Sequence, residues 1–199
     1  MEQALFDSLN RYLTNCVQLN SADLADADSY FERKVYPKKT FLLQAGEVCK
    51  FEAFILKGCI KTYFLDEKGH EVILTFSTED WWVSDIASFQ DQKPSKMYIE
   101  TLEECELLLL NPSKKELLLT KMPVLERAFR LMLQKHLSVY QERIFCNVSL
   151  SAPERYELFL QRYPKLSNRV SQQLIASYLG ITPESLSRMR NKRAKPTKV

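Results

Sequence analysis

Polar side chains recur on one face of a predicted helix that begins at Pro183. Glu184, Ser187, Arg188 and Asn191 have the i, i+3, i+4 and i+7 spacing that places residues on one side of a helix. A carboxylate can accept a hydrogen bond from the amino group of cytosine, and a guanidinium can donate two bonds to guanine O6 and N7. This face has the chemistry to read base pairs in a DNA major groove. An exposed Glu184–Arg188 ion pair is the alternative explanation of the spacing.

The residues before this helix predict the turn that would present it. Ser171 can cap a first helix, and Gly180 suits the left-handed conformation at the end of that helix. Thr182 can cap the second helix, with Pro183 at its first position. Together these features are typical of a helix-turn-helix. The predicted DNA-binding residues are Ser171, Thr182, Pro183, Glu184, Ser187, Arg188, Asn191 and Lys192.

The charge of the chain is unevenly distributed. The net charge is only +3, but residues 154–199 hold ten Lys or Arg against three Asp or Glu. The remaining residues then hold 18 basic side chains against 22 acidic ones. A basic C-terminal module on a mildly acidic body favours nucleic acid as the partner of the module.

Cysteine usage and hydropathy indicate the compartment. The five cysteines are widely scattered and include no CxxC pair, which argues against a disulfide framework or a structural zinc site. The N-terminus lacks the pattern of a signal peptide, and no apolar run approaches the roughly 18 residues that span a membrane. We therefore expect a cytoplasmic protein without membrane association.

Short apolar segments between Val35 and Leu110 predict β-structure, with Gly46, Gly58 and Gly69 at the turns. The regular spacing of these segments predicts an antiparallel sandwich or roll. The predicted strands are Thr40–Gln44, Phe51–Leu56, Cys59–Asp66, Glu71–Ser77 and Met97–Leu110. Helical spacing in residues 2–14 and, more weakly, 21–34 predicts two helices before the roll. The fold class is therefore α+β.

A long helix is predicted from about Pro123 to Val148, after a short helix that ends near Lys121. It is apolar on two sides, and such a helix can pack on its own sheet and on a partner helix. The alternative is one helix buried in a monomer. Residues 149–153 break the helix and predict a hinge before a further helix to about Tyr163. The two stripes are Leu125, Phe129, Met132, His136 and Val139, and Leu133, Leu137, Tyr140 and Ile144.

This order of elements resembles the Crp/Fnr superfamily of bacterial transcription regulators over residues 20–193. Residues 42–74 look like the family's cyclic-nucleotide-binding roll, and TPESLSR looks like its recognition helix. The resemblance implies a sensor domain in residues 1–121, a dimerisation helix in 122–150 and a helix-turn-helix domain in 151–199. It also implies a homodimer through residues 123–148 that binds double-stranded DNA, with RNA polymerase as a further partner.

The chain departs from the family pattern where relatives hold cyclic AMP. Those relatives use a Gly-Glu pair for the ribose and an Arg-Ser or Arg-Thr pair for the cyclic phosphate, whereas Ser84-Asp85 and Pro94-Ser95 stand here. A buried phosphate without an arginine loses its charge-assisted fork, although Lys93 or Lys96 could supply a point charge. We therefore predict no cofactor and no cyclic-nucleotide binding. The candidate pocket residues for another effector are Trp82, Ser84, Asp85, Ile86, Ser95 and Lys96.

Other chemistries have little support in the sequence. Only Cys16 lies in the first 48 residues, so the N-terminal cysteine cluster of iron–sulfur relatives is absent. His70 falls in a predicted turn and His136 in the long helix, where an interface or core role is favoured over a haem ligand. Two scattered histidines also give no nucleophile–base pair for an enzyme. Six residues separate Pro164 from Ser171 and eight follow Asn191, so little or no β-wing is expected. The rival hypothesis is a signalling adaptor with a non-specific basic tail.

Overall fold

The computed structural model describes residues 6–194 of the 199-residue chain, with side chains described through Asn191. Two helices precede a β-roll, and five helices follow its last strand. The strands are β1 Glu32–Tyr36, β2 Phe41–Leu43, β3 Glu52–Lys57, β4 Ile60–Leu65, β5 Glu71–Ser77, β6 Trp82–Val83, β7 Tyr98–Thr101 and β8 Cys105–Leu110. The helices are α1 Asp7–Cys16, α2 Ser21–Asp28, α3 Ile86–Asp91, α4 Pro112–Lys121, α5 Leu125–Ser149, α6 Ala152–Arg162, α7 Gln172–Leu179 and α8 Pro183–Ala194.

The strands form two four-stranded antiparallel sheets, which confirms the predicted roll. One sheet has the order β1-β8-β3-β6 and the other the order β2-β7-β4-β5. In the first sheet Phe54 pairs with Leu108, and in the second Tyr63 pairs with Ile73 across a register shift. No helix among residues 6–194 is long and apolar enough to cross a membrane.

Three details of the strand prediction were wrong. Residues 32–34 belong to strand β1, not to the helix predicted over 21–34, because β1 pairs along its whole length with β8. The segment predicted as one strand from Met97 to Leu110 contains two strands, β7 and β8, separated by residues 102–104. The short strand β6, paired with β3, was not predicted. Strand pairing decided these cases against local sequence preference.

The helices that flank the roll bury its first sheet. Leu9 and Leu13 of α1, Trp82 of β6 and Phe129 of α5 belong to one buried cluster. The ring of Trp82 lies 5.3 Å from that of Phe54 and 5.7 Å from that of Phe129, measured between centroids. The N-terminal half of α5 is therefore built into the roll.

The second sheet packs against the C-terminal helices. Ile73 and Phe76 of β5 share one buried cluster with Phe159 of α6 and with Ile175 and Leu179 of α7. The outer face of β5 is consequently covered by the helix-turn-helix region. A shared core therefore joins the first and the last of the predicted segments 1–121, 122–150 and 151–199. These domain limits remain a prediction.

The turn between β3 and β4 depends on Gly58. Its φ is +110°, and an added Cβ would lie 2.5 Å from Cys105 Sγ and 2.8 Å from the carbonyl oxygen of Glu104. Gly69 offers a matched control, because its φ is +80° but an added Cβ would meet nothing within 4 Å.

We expect Gly58→Ala to lower the free energy of unfolding by about 1–2 kcal/mol of backbone strain plus about 1–3 kcal/mol of overpacking. Gly69→Ala should lose only the strain. Urea denaturation of both variants measures the difference. Equal losses would contradict the close packing of Gly58 on Cys105.

Candidate nucleic-acid interface

Local capping chemistry builds the helix-turn-helix. Ser171 Oγ accepts a hydrogen bond from the backbone N–H of Leu174 at 3.4 Å and caps α7. Gly180 ends this helix at φ +66°, a left-handed conformation that glycine adopts without strain. Ala176 and Leu179 are buried where α7 meets its neighbours. The predicted turn geometry is confirmed.

The second helix begins as the sequence indicates. Thr182 Oγ1 accepts from the backbone N–H of Ser185 at 3.2 Å, and Pro183 is the first helical residue. The pKa of Glu184 lies below its usual value, mainly through its own backbone N–H and next through the Thr182 side chain, with Arg188 adding to the effect. Glu184 is therefore an ionised acceptor at neutral pH.

The predicted base-reading face of α8 lies open. Glu184, Ser187, Arg188 and Asn191 are exposed, whereas Leu186 on the opposite side is fully buried. The Arg188 guanidinium donates to Ser185 Oγ at 3.1 Å and makes no ion pair with Glu184 within 4 Å. The Glu184–Arg188 ion pair, which was the alternative explanation of the i,i+4 spacing, is therefore not formed.

Two predicted features border this face. The side chain of Lys192 lies outside the described residues. Between α6 and α7 the chain forms a short 3-10 turn, Leu166–Asn168, and no residue from 150 to 194 is in a strand. The described part of the C-terminal region therefore has no β-wing.

The segment that the family resemblance assigns to ribose and phosphate binding is hydrogen-bonded internally. The Ser95 hydroxyl donates to Asp85 Oδ2 at 2.6 Å, and Asp85 Oδ1 accepts from the backbone N–H of Ser88 at 3.1 Å. Asp85 and Ser95 are 4% and 5% exposed. The Asp85 carboxylate therefore caps α3 and also accepts the hydrogen bond of the Ser95 hydroxyl.

Neighbouring groups complete this internal network. Ser88 Oγ accepts from the Cys49 N–H at 2.9 Å and donates to the carbonyl oxygen of Lys93 at 2.5 Å. Ser84 Oγ donates to the carbonyl oxygen of Phe51 at 2.8 Å. The side chains of Lys93 and Lys96 are exposed. Neither lysine replaces the missing arginine in the buried network.

Two of the six predicted pocket residues line a common cavity. Trp82 and Ser84 line a cavity of about 20 Å³ between the roll and α5, which Asp85, Ile86, Ser95 and Lys96 do not line. Trp82 belongs to the core, and Ile86 opens α3. A volume of this size suits about one water molecule.

An aromatic stack lines this cavity. The rings of Trp81 and His136 lie 5.0 Å apart at 19°, and Lys135 Nζ lies 4.7 Å from the Trp81 ring. Burial, with a smaller effect of Lys135, lowers the pKa of His136 to about 4. The imidazole is therefore neutral at pH 7 and packs as an apolar ring. No group of three or more potential metal ligands occurs among residues 6–194.

A larger cleft was missed by the sequence reasoning. It has a volume of about 580 Å³ and lies where β5, α5 and α6 meet. Trp81, Glu142 and Tyr163 are among the residues that line it. Its residues come from three separate parts of the chain, so no local motif announces it.

The two apolar stripes of α5 have different environments. Leu125, Phe129 and Met132 of the first stripe are buried against the roll. In the second stripe Leu137 is 58% and Ile144 is 64% exposed. Among the described residues, the first half of one stripe is therefore buried and the other stripe is largely exposed.

Comparison with known proteins agrees with this architecture. Residues 33–121 match the model of the cyclic nucleotide-binding domain. The chain is 31% identical over 189 residues to the fumarate and nitrate reduction regulatory protein of Vibrio cholerae, with 86% of this chain and 72% of that protein covered. It is 30% identical over 186 residues to the anaerobic regulatory protein of Haemophilus influenzae, covering 86% and 70%.

The fold is also found in a solved structure. The c-di-GMP responsive global regulator CLP of Xanthomonas campestris superimposes with a TM-score of 0.72 at 17% identity, covering 87% of this chain and 91% of that one. The two relatives of 30% and 31% identity are regulatory proteins, and this chain is likewise a DNA-binding transcription regulator. With its sequence relatives added, the chain belongs to the Crp/Fnr family.

Proposed function

We propose that this regulator reads a specific DNA sequence as a homodimer, through the exposed face of α8. The observation that carries the proposal is that Glu184, Ser187, Arg188 and Asn191 are all exposed on a helix whose start is fixed by the Thr182 cap. Arg188 would pair with a guanine and Glu184 with a cytosine amino group. Ser171, Thr182, Pro183 and Lys192 would contact the backbone or flank the base-reading face.

The dimer would form through α5, within residues 123–148. Leu133, Leu137, Tyr140 and Ile144 advance by alternating steps of four and three, as residues at a two-helix seam do. These side chains are exposed in the single chain. A second copy related by a two-fold axis would cover the second stripe of each copy equally. The two recognition helices would then enter successive major grooves roughly 34 Å apart.

The roll would regulate without a cyclic nucleotide. The Ser95 hydroxyl donates a hydrogen bond to the Asp85 carboxylate, and the neighbouring cavity of about 20 Å³ is far smaller than a nucleotide. A cyclic phosphate placed there would be buried without a fixed cation, which is costly. We propose no cofactor and no enzymatic activity for this chain. RNA polymerase is the proposed protein partner, and family membership favours a regulator over the adaptor hypothesis.

A guanine contact by Arg188 predicts a sequence-dependent loss. Arg188→Ala should cost about 1–3 kcal/mol on the preferred site and relax the preference at one base pair. The matched control is Arg190→Ala, an exposed arginine two residues further along α8 that does not belong to the base-reading face. That variant should weaken binding to all sequences similarly.

Selection of bound fragments from a random DNA library identifies the preferred site, and titrations on this site and on random DNA at physiological salt measure both variants. Equal losses on specific and random DNA for Arg188→Ala would refute the recognition-helix assignment.

The second stripe of α5 predicts the assembly state. Leu137→Glu should place two carboxylates at the seam of the dimer and give monomers that bind one half-site weakly. Ser138→Glu adds the same charge at an exposed neighbouring position about 100° around the helix, and should leave the dimer intact. Light scattering at micromolar protein reports the mass. A monomeric wild-type protein would disprove this interface.

The closed Asp85–Ser95 site predicts that neither cyclic AMP nor cyclic GMP binds more tightly than about 10 μM, a threshold of about −7 kcal/mol. Calorimetric titration of the purified protein with each nucleotide measures this affinity. DNA binding is also measured with and without each nucleotide, because this detects nucleotide binding that releases too little heat for calorimetry. Saturable binding below about 10 μM, or DNA binding that requires a nucleotide, would overturn the proposal.

A further inference from the structure

Arg169 joins the helix-turn-helix region to the roll by an ionic fork. It lies between the 3-10 turn and α7, two residues before the Ser171 cap. Its Nη1 and Nη2 donate to the Glu79 carboxylate at 2.9 and 2.7 Å. Nη2 also donates to Glu103, and Nε lies 3.4 Å from the other oxygen of Glu103. One guanidinium therefore binds two carboxylates.

Both carboxylates are fixed to turns of the roll. Glu79 follows β5, and its Oε1 also accepts from the backbone N–H of Gly58 at 2.9 Å. Burial alone would raise the pKa of Glu79, but the hydrogen bonds from Arg169 hold this pKa below its usual value. Glu103 lies between β7 and β8. Glu79 is therefore an ionised acceptor, and both turns connect the second sheet of the roll to the first.

Other side chains also join α7 to β5, among them Arg143, which donates to carbonyl oxygens of both elements. Ser177 Oγ donates to the carbonyl oxygen of Glu71 at 2.6 Å and accepts from the N–H of Ile73 at 3.1 Å. The rings of Phe76 and Tyr178 lie 5.5 Å apart. Apolar packing tolerates small rotations, whereas a planar guanidinium that forks onto two fixed carboxylates has one favoured direction.

We propose that Arg169 is a positioning residue for DNA recognition, which orients the helix-turn-helix on its own roll by binding Glu79 and Glu103. The proposal rests on the proposed dimeric DNA binding. Because Arg169 precedes the α7 cap by two residues, its anchor sets the direction of α7 and hence of α8. In a dimer, two such anchors fix the separation of the recognition helices.

The test uses the DNA fragment that the wild-type protein enriches from a random library, and the same fragment with one half-site scrambled. Arg169→Gln should weaken binding to the two-half-site fragment roughly tenfold, a typical size for coupling between sites. Binding to the fragment with one intact half-site should change less than about twofold, because no base or phosphate contact is lost. Arg169→Lys should give an intermediate loss, since an ammonium cannot fork.

A charge exchange provides the rescue. Arg169→Glu combined with Glu103→Arg keeps two carboxylates and one guanidinium in the cluster, and leaves the Glu79 bond to Gly58 in place. This double variant should regain affinity for the two-half-site fragment, whereas Arg169→Glu alone should bind it worst. Hydrogen exchange of residues 71–77 and 172–179 without DNA should rise in Arg169→Gln and fall back in the double variant. A purely structural role would also lower the melting temperature, which is measured in parallel.

The outcomes separate the two levels of the proposal. If the wild-type protein shows no preference for two half-sites, the proposed dimeric function fails and the positioning role fails with it. If the wild-type preference exists and Arg169→Gln keeps it, only the positioning role is overturned. Equal losses on both fragments would also overturn it, because the loss would then not depend on the relative positions of two recognition helices.

Discussion

The guanidinium of Arg143 bonds the long helix α5 to strand β5 and to helix α7, and the arrangement of these three elements depends on it. From α5 it donates to the carbonyl oxygens of Leu74 and Ile73 in β5, and to that of Tyr178 in α7 at 3.1 Å. It also lies 4.1 Å from the centre of the Tyr178 ring. Burial lowers the pKa of this arginine, although the group stays charged at neutral pH because an arginine pKa starts so high. The guanidinium that the long helix carries is therefore hydrogen-bonded to both the second sheet and the helix-turn-helix.

The same strand of the roll is bonded to the long helix and to the helix-turn-helix. β5 contacts the long helix through Arg143 and contacts α7 through Ser177. The turn after β5 carries Glu79 and leads to Trp81, which stacks on His136 of α5. A change in the roll at this turn would reach both α5 and α7, because each is bonded to the same few residues. The cleft of about 580 Å³ lies beside that turn.

Much of the fold was predictable because its determinants are local. The capping residues of α7 and α8, the glycine turn between them and four strands of the roll follow from neighbouring residues in the chain. The candidate DNA face was predictable for the same reason, since Glu184, Ser187, Arg188 and Asn191 share one side of a helix. The internal hydrogen bonds of the predicted pocket segment were not predictable. Asp85 and Ser95 were placed correctly near each other, but their mutual hydrogen bond and burial depend on how α3 folds back on the roll.

Sequence reasoning was sufficient for most of the helices, for four strands, for the candidate base-reading face and for the two apolar stripes on α5. The tertiary structure decided which stripe is buried, that Arg188 bonds Ser185 instead of Glu184, and that Arg169 binds Glu79 across 90 residues of chain. The physical reason is the range of the interactions. Caps, turns and helical periodicity act within a few residues and can be read from spacing. Forks such as that of Arg169 form only after separate elements dock, because Glu79 and Glu103 are distant from Arg169 in the chain.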